Sequence, residues 1–161
     1  LAASMPKRPP ITVVPVIVPI DFLYTVITAP CAKAIGAANS ILAMNDCEVT
    51  RAGLYGIFAD DDAQVTMRGG ILRNNGRVRL AITPAAATRD VIAGASGIVN
   101  LYGVTFDESS LISNNVVINA AVTGGVARDC RFYDTPITSE FSALPATFIK
   151  DNCRNQAGVL V

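Results

Sequence analysis

Along VTMRGGILRNNG, residues 65–76, apolar and polar residues alternate with the period of a half-buried β-strand, and two glycines, Gly69 and Gly70, interrupt the alternation. A glycine pair inside a strand pattern marks a corner or a bulge. The corner recurs. NDCEV (45–49), RGGIL (68–72), YGVTF (102–106), RDCRF (128–132) and DNCRN (151–155) each carry a turn former in second place: Asp46, Gly69, Gly103, Asp129 and Asn152. Gly, Asn and Asp tolerate the left-handed backbone, so the pattern predicts one tight bend at each. A small or apolar residue follows: Cys47, Gly70, Val104, Cys130, Cys153. Two positions on stand Val49, Leu72, Phe106 and Phe132, and the last stretch departs from this with Asn155.

From Cys47 to Gly70 is 23 residues, from Gly70 to Val104 34, from Val104 to Cys130 26, and from Cys130 to Cys153 23. A period in the low twenties with turn residues at a fixed phase is the signature of a solenoid. Three short strands fit each interval: CEVTRA, LYGIFA and AQVTMRG, then GILRNN, RVRLAI and IVNLYG, then VTFDES, NNVVINAAV and GGVARD. The excess in the long interval is assigned to AAATRDVIAGASG (85–97) as a loop. The expected fold is all-β, a parallel β-helix of about five coils, over residues 24–161. Residues 1–23 precede it as an extended linker, cap or partner contact.

Alternation tests the register. With the five post-corner residues facing inward, Glu48, Ile71, Thr105, Arg131 and Arg154 face outward, as do Thr50, Arg73, Asp107, Tyr133 and Gln156. The row before the corner, Asn45, Arg68, Tyr102, Arg128 and Asp151, also faces outward. Only Ile71 is purely apolar, whereas a slip of one residue would exchange the faces. Upstream, Leu42/Met44, Val65/Met67 and Val99/Leu101 fit inward positions. Val126 and Ile149 fall out of phase, which predicts a bulge or a changed register in the last two coils.

Composition sharpens this. Hydrophobic residues are 51% of the chain, charged residues 16%, and Lys plus Arg equals Asp plus Glu at 13 each, so nothing points to nucleic acid or an anionic membrane. Histidine is absent, which removes His triads, His zinc sites and His bases. The cysteines at 31, 47, 130 and 153 lack C-x-x-C spacing; buried thiols are the plain reading, with disulfides left open. No metal site and no cofactor are expected. ITVVPVIVPIDFLYTVITA mimics a membrane span, but Pro15, Pro19 and Asp21 interrupt it, so no membrane insertion is expected. The chain begins at Leu1, as a fragment or a processed product would.

YGIFADDDAQVTMRGGILRNNG (55–76), IVNLYGVTF (98–106), VARDCRF (126–132) and FIKDNCRN (148–155) resemble the right-handed parallel β-helix proteins, the pectate-lyase-like families and more narrowly bacteriophage tailspikes. The resemblance carries over no catalytic residue. It implies a virion-borne or extracellular protein that binds, and often cleaves, a bacterial surface polysaccharide, commonly as a homotrimer. An alternative is a non-catalytic structural module of a fibre or virion assembly, which the absence of Trp and His favours.

If the protein is an enzyme, it is a polysaccharide hydrolase or lyase. Hydrolysis needs two carboxyl groups roughly 5–9.5 Å apart, and the candidates are Asp62, Asp107 and Glu108. The run Asp60, Asp61, Asp62 reads equally as a solvated turn. A lyase would draw on Arg or Tyr for its base and its charge stabilisation. Arg68, Tyr102 and Arg128 in one outward row, and Arg73 and Tyr133 with Asp107 in another, are the substrate-binding candidates. Outward polar ladders also keep any β-helix soluble. Asn74, Asn75, Asn114 and Asn115 read as structural amides.

Overall fold

The structure, a computed structural model, describes residues 20–23, 26–28, 35–52, 55–75, 89–94, 96–107, 114–118, 124–133, 139–142 and 144–161. Among these residues there is no helix. The strands are β1 (Ile20–Leu23), β2 (Val26–Thr28), β3 (Ile35–Ala38), β4 (Ile41–Asn45), β5 (Glu48–Thr50), β6 (Tyr55–Asp60), β7 (Gln64–Arg68) and β8 (Ile71–Arg73). They continue with β9 (Arg89–Ala93), β10 (Ile98–Tyr102), β11 (Thr105–Asp107), β12 (Asn114–Ile118), β13 (Val126–Arg128), β14 (Arg131–Phe132), β15 (Ser139–Ser142) and β16 (Ile149–Asp151).

These strands form three parallel sheets, and each strand pairs with the one three further along the chain. Sheet A runs β1-β4-β7-β10-β13-β16, sheet B β14-β11-β8-β5-β2, and sheet C β15-β12-β9-β6-β3. One passage through A, B and C is called a layer below. The first pairing sets Ile20 beside Leu42, so the ladder begins four residues ahead of the boundary drawn at Tyr24.

The bend between sheets A and B repeats from layer to layer. Asp46, Gly69, Gly103, Asp129 and Asn152 all have positive φ, between 48° and 63°. Their amides extend the sheet A ladder through the bend: Asp46 N–H donates to Arg68 O at 2.8 Å, Gly69 to Tyr102 O at 2.8 Å, Gly103 to Arg128 O at 2.8 Å and Asp129 to Asp151 O at 3.0 Å. On the far side, Ile71, Thr105, Arg131 and Arg154 donate to the carbonyls of Cys47, Gly70, Val104 and Cys130 at 2.9–3.0 Å. The bend, exposed or half-buried at its left-handed residue, therefore keeps the backbone groups on both sides of it paired. Gly70 is the point in this bend where backbone crowds the chain. Its φ is +80°, and a Cβ there would overlap the backbone of Cys47.

The core fills the space between the sheets in columns. Sheet A supplies Leu42, Val65 and Val99, and beside them Met44, Met67, Leu101 and Ala127. Sheet B supplies Val49, Leu72, Phe106 and Phe132, and sheet C Ile57, Val91 and Val116. All are buried. The Phe106 and Phe132 rings stack with centroids 4.4 Å apart, and Phe141 meets Phe132 edge-on at 5.3 Å. Such pairs contribute roughly 0.5–1.5 kcal/mol beyond their burial.

Three expectations change. The last two layers have neither a bulge nor a slip: Val126 pairs with Asn100 and with Ile149, and Ala127 with Leu101 and with Lys150. Val126 and Ile149 continue the outward register column, although Val126 is itself buried; Ala127 fills the interior, and Lys150, in register with it, is exposed. Phe148 packs over Gly125, whose missing side chain leaves room for the ring. Thr50 is not an exposed member of its row; it is 6% exposed, and its neighbour Arg73 reaches diagonally across the same strand to Glu48. RDVIA, assigned to a loop, is strand β9, with Val91 and Ala93 inward; the expected strand RVRLAI lies outside the described residues. Among the described residues no helix is long and apolar enough to cross a membrane.

Candidate polysaccharide-binding face

The broadest exterior is that of sheet A, and its parallel register turns sequence rows into columns. Asn45, Arg68, Tyr102, Arg128 and Asp151 stand side by side on successive strands, one residue before the left-handed bend. The bend ends each strand at the same point, so these side chains share one edge of the sheet. Two residues upstream runs a second column: Ala43, Thr66, Asn100, Val126 and Ile149. Asn100 Nδ2 donates to Thr66 Oγ1 at 3.4 Å.

Charge is unevenly compensated along the edge column. Arg128 Nε pairs with Asp151 Oδ2 at 2.9 Å, with both side chains about half exposed, a geometry worth roughly 0–1 kcal/mol in water. Arg68 instead lies over the Tyr102 ring, 5.2 Å from its centroid. Among the described residues no carboxylate pairs with Arg68.

The sheet B candidates form a separate column. Thr50, Arg73 and Asp107 are in register, and Tyr133 N–H donates to Phe106 O at 2.8 Å. Arg73 is engaged by Glu48, with contacts of 2.7 Å and 2.8 Å to the same oxygen. Asp107 and Tyr133 are exposed. Arg73 thus has a structural partner that the sequence rows did not show.

The structure does not gather the acidic candidates into one site. Asp62 lies in the turn leading from β6 of sheet C into β7 of sheet A, whereas Asp107 ends β11 of sheet B, and Glu108 lies outside the described residues. Asp61 and Asp62 both have positive φ, and the Asp62 N–H donates to Ser96 Oγ at 2.9 Å. Within the same turn Ala63 N–H donates to Asp60 O at 2.9 Å. The acidic run is the turn itself, exposed at its tip. Among the described residues no group of three His, Cys, Asp or Glu side chains could hold a metal ion.

One buried polar pair was not foreseen. Asp90 and Asn75 are 0% and 1% exposed. Asn75 Nδ2 donates to Asp90 Oδ1 at 2.9 Å and to Val49 O at 3.1 Å, and its Oδ1 accepts the Ala52 N–H at 3.1 Å. The amide thereby ties the end of the sheet B segment to sheet C, the structural role expected of Asn75. Its signal is an Asp inside a short Val/Ile strand, which reads as a loop because it follows an alanine-rich run.

Compared with family models, curated proteins and solved structures, the chain matches none.

Proposed function

We propose that the chain winds as a right-handed parallel β-helix of about five coils, three strands to a coil, and that the sheet A exterior binds a bacterial surface polysaccharide laid across the strands. The observation that carries the reading is the Arg68–Tyr102–Arg128 column beside Thr66 and Asn100. A glycan crossing parallel strands meets a new one about every 4.8 Å. On this face it would meet hydroxyl and amide groups in one column, and an aromatic ring between two guanidinium groups in the next. A tyrosine offers a flat apolar body with a polar tip, and a guanidinium offers a planar fork of donors suited to carboxylate or phosphate. Because Arg68 is stacked but unneutralised, the face favours an acidic glycan.

The reading is of binding before cleavage, since Asp62 and Asp107 belong to different bends. A tailspike-like setting, virion-borne or extracellular and homotrimeric, goes with it. The test is retention on immobilised capsular and O-antigen polysaccharides. Arg68→Ala should weaken binding about tenfold or more, and Tyr102→Ala should weaken it comparably. Failure of the parent chain to bind any acidic or neutral polysaccharide ends the proposal.

A second reading, a structural module of a fibre, is favoured by one observation. Ile149, Val159 and Leu160 are 56%, 58% and 61% exposed, all in the C-terminal layer. Light scattering with glycan retention separates the two: a discrete trimer that binds glycan removes the fibre module, and end-to-end polymers that bind none favour it.

A further inference from the structure

Cys130 and Cys153 hold equivalent places in successive layers. The residues around them pair in register, Arg128 with Asp151 and Arg131 with Arg154. Two backbone bonds bracket the cysteines, Asp129 N–H to Asp151 O and Arg154 N–H to Cys130 O, both at 3.0 Å. In-register neighbours on parallel strands lie about 4.8 Å apart, inside the roughly 4.4–6.8 Å that a disulfide spans between Cα atoms. Both side chains point into the interior, 0% and 1% exposed. The Cys153 thiol leans back toward the earlier layer, donating to Ala127 O at 3.4 Å, and the Cys130 thiol sits against Arg128 O at 3.5 Å.

The two thiols are neighbours in the interior, close enough for each to act on the other's proton. That interaction is the main influence drawing the Cys153 thiol down to about 7, against the opposing effect of burial, and the Lys150 charge helps. The same interaction, with burial and like charge, pushes Cys130 upward. One thiolate forms readily, and the other sulfur keeps its proton until the first has reacted. Cys47 shares the corner column, and among the described residues it has no thiol neighbour there: Gly70 stands opposite it in the next layer.

We propose that Cys130 and Cys153 form a reversible disulfide that locks the C-terminal layer onto the layer before it, by exchange with a low-molecular-weight disulfide. Access comes through the tail. Residues 156–160 are exposed, and Val161 N–H covers Cys153 by donating to its carbonyl at 3.1 Å. When the tail frays, the Cys153 thiolate attacks one sulfur of the external disulfide. The external S–S bond breaks, and one thiolate leaves and takes up a proton. Cys130 then loses its proton to solvent and its sulfur attacks the Cys153 sulfur of the mixed disulfide, expelling the second thiolate. Two protein thiols are oxidised, and one external disulfide is reduced to two thiols. The inference stands apart from the glycan reading.

The test treats the full chain with oxidised glutathione, alkylates the remaining thiols in denaturant and maps the digest without reduction. The expected result is a peptide pair joined through Cys130 and Cys153 and lacking two hydrogens, with Cys47 alkylated. The melting midpoint should rise by roughly 5–10 °C, reversibly on adding dithiothreitol. Cys130→Ser should stop the reaction at a glutathione adduct on Cys153; if that variant does not fold, the map of the parent chain still decides. Two alkylated thiols, a persistent adduct on the parent chain, a bridge to Cys31 or Cys47, or a bridge with no gain in melting midpoint overturns the proposal.

Discussion

The bend between sheets A and B and the passage from sheet B to sheet C solve the same problem, turning a chain through a corner while keeping its neighbours paired, in different ways. At the first, each of the five described bends has a left-handed residue, with Gly70 a second one beside Gly69, and the same pair of backbone bonds joins each bend to the next. At the second, Arg51 and Asn74 provide left-handed residues, and a buried side-chain amide, Asn75, supplies bonds that the backbone does not. A corner built from backbone repeats closely. A corner tied by one side chain admits insertions, and the longest interval between layers falls there, between β8 and β9.

Substitutions can break or sharpen this contrast. The largest effect is expected at Gly70, where an added methyl group meets Cys47 backbone in a left-handed conformation. Gly70→Ala should cost about 3 kcal/mol or more, read as a lowered midpoint in urea. Next, Asn75→Ala strands the Ala52 N–H, the Val49 carbonyl and one Asp90 contact in the interior. It should cost about 2–3 kcal/mol by the same measurement. A loss below about 0.5 kcal/mol would mean that this corner does not depend on its amide.

Gly103 sharpens the comparison from within the repeating bend. It has φ +62° but open space where a Cβ would stand. Gly103→Ala should therefore cost only about 1 kcal/mol, the conformational part of what Gly70→Ala costs. Gly103→Asn should change stability by about 0.5 kcal/mol or less, since Asn152 already occupies the same place in a later layer. Equal losses at Gly70 and Gly103 would show that conformation, and not the closeness of Cys47, sets the cost.

The repeating bend was legible because two constraints coincide in adjacent residues, a left-handed backbone and then an inward side chain, and few residue types meet both. Asp46, Gly69, Gly103, Asp129 and Asn152 announce themselves for that reason. Strand β9 was not legible. RDVIA is short, opens with two charged residues and follows an alanine-rich run, so it offers little alternation to read. The small inward residue Ala127 and the exposed Lys150 in register with it were hard to read for a related reason. Near the end of a stack less interior remains to be filled, and large apolar residues are no longer required there.

The candidate face followed the same division. Once the bend set the register, the alignment of Arg68, Tyr102 and Arg128 came with it, because a column is only a register seen from outside. What those side chains do to one another was not legible. Arg73 bound to Glu48 and Arg68 stacked on Tyr102 are equivalent arginines in sequence, and only their neighbours distinguish a bridge from an uncommitted charge. The places of Asp62, in the turn from sheet C to sheet A, and of Asp107, at the end of a sheet B strand, were not legible, because a run of acids does not declare which corner it will turn.

Lys150 lies in register with Ala127, and its ammonium rests 5.2 Å from the centre of the Phe141 ring. Any strand that docked on the open edge of β16 would have to strip water from this cation and entomb it. A desolvation cost at this one position thus acts as a local deterrent to apolar docking on β16, set against the exposed Ile149 beside it, which favours such docking. Replacing that ammonium with leucine would remove the deterrent and leave a sticky apolar platform in its place.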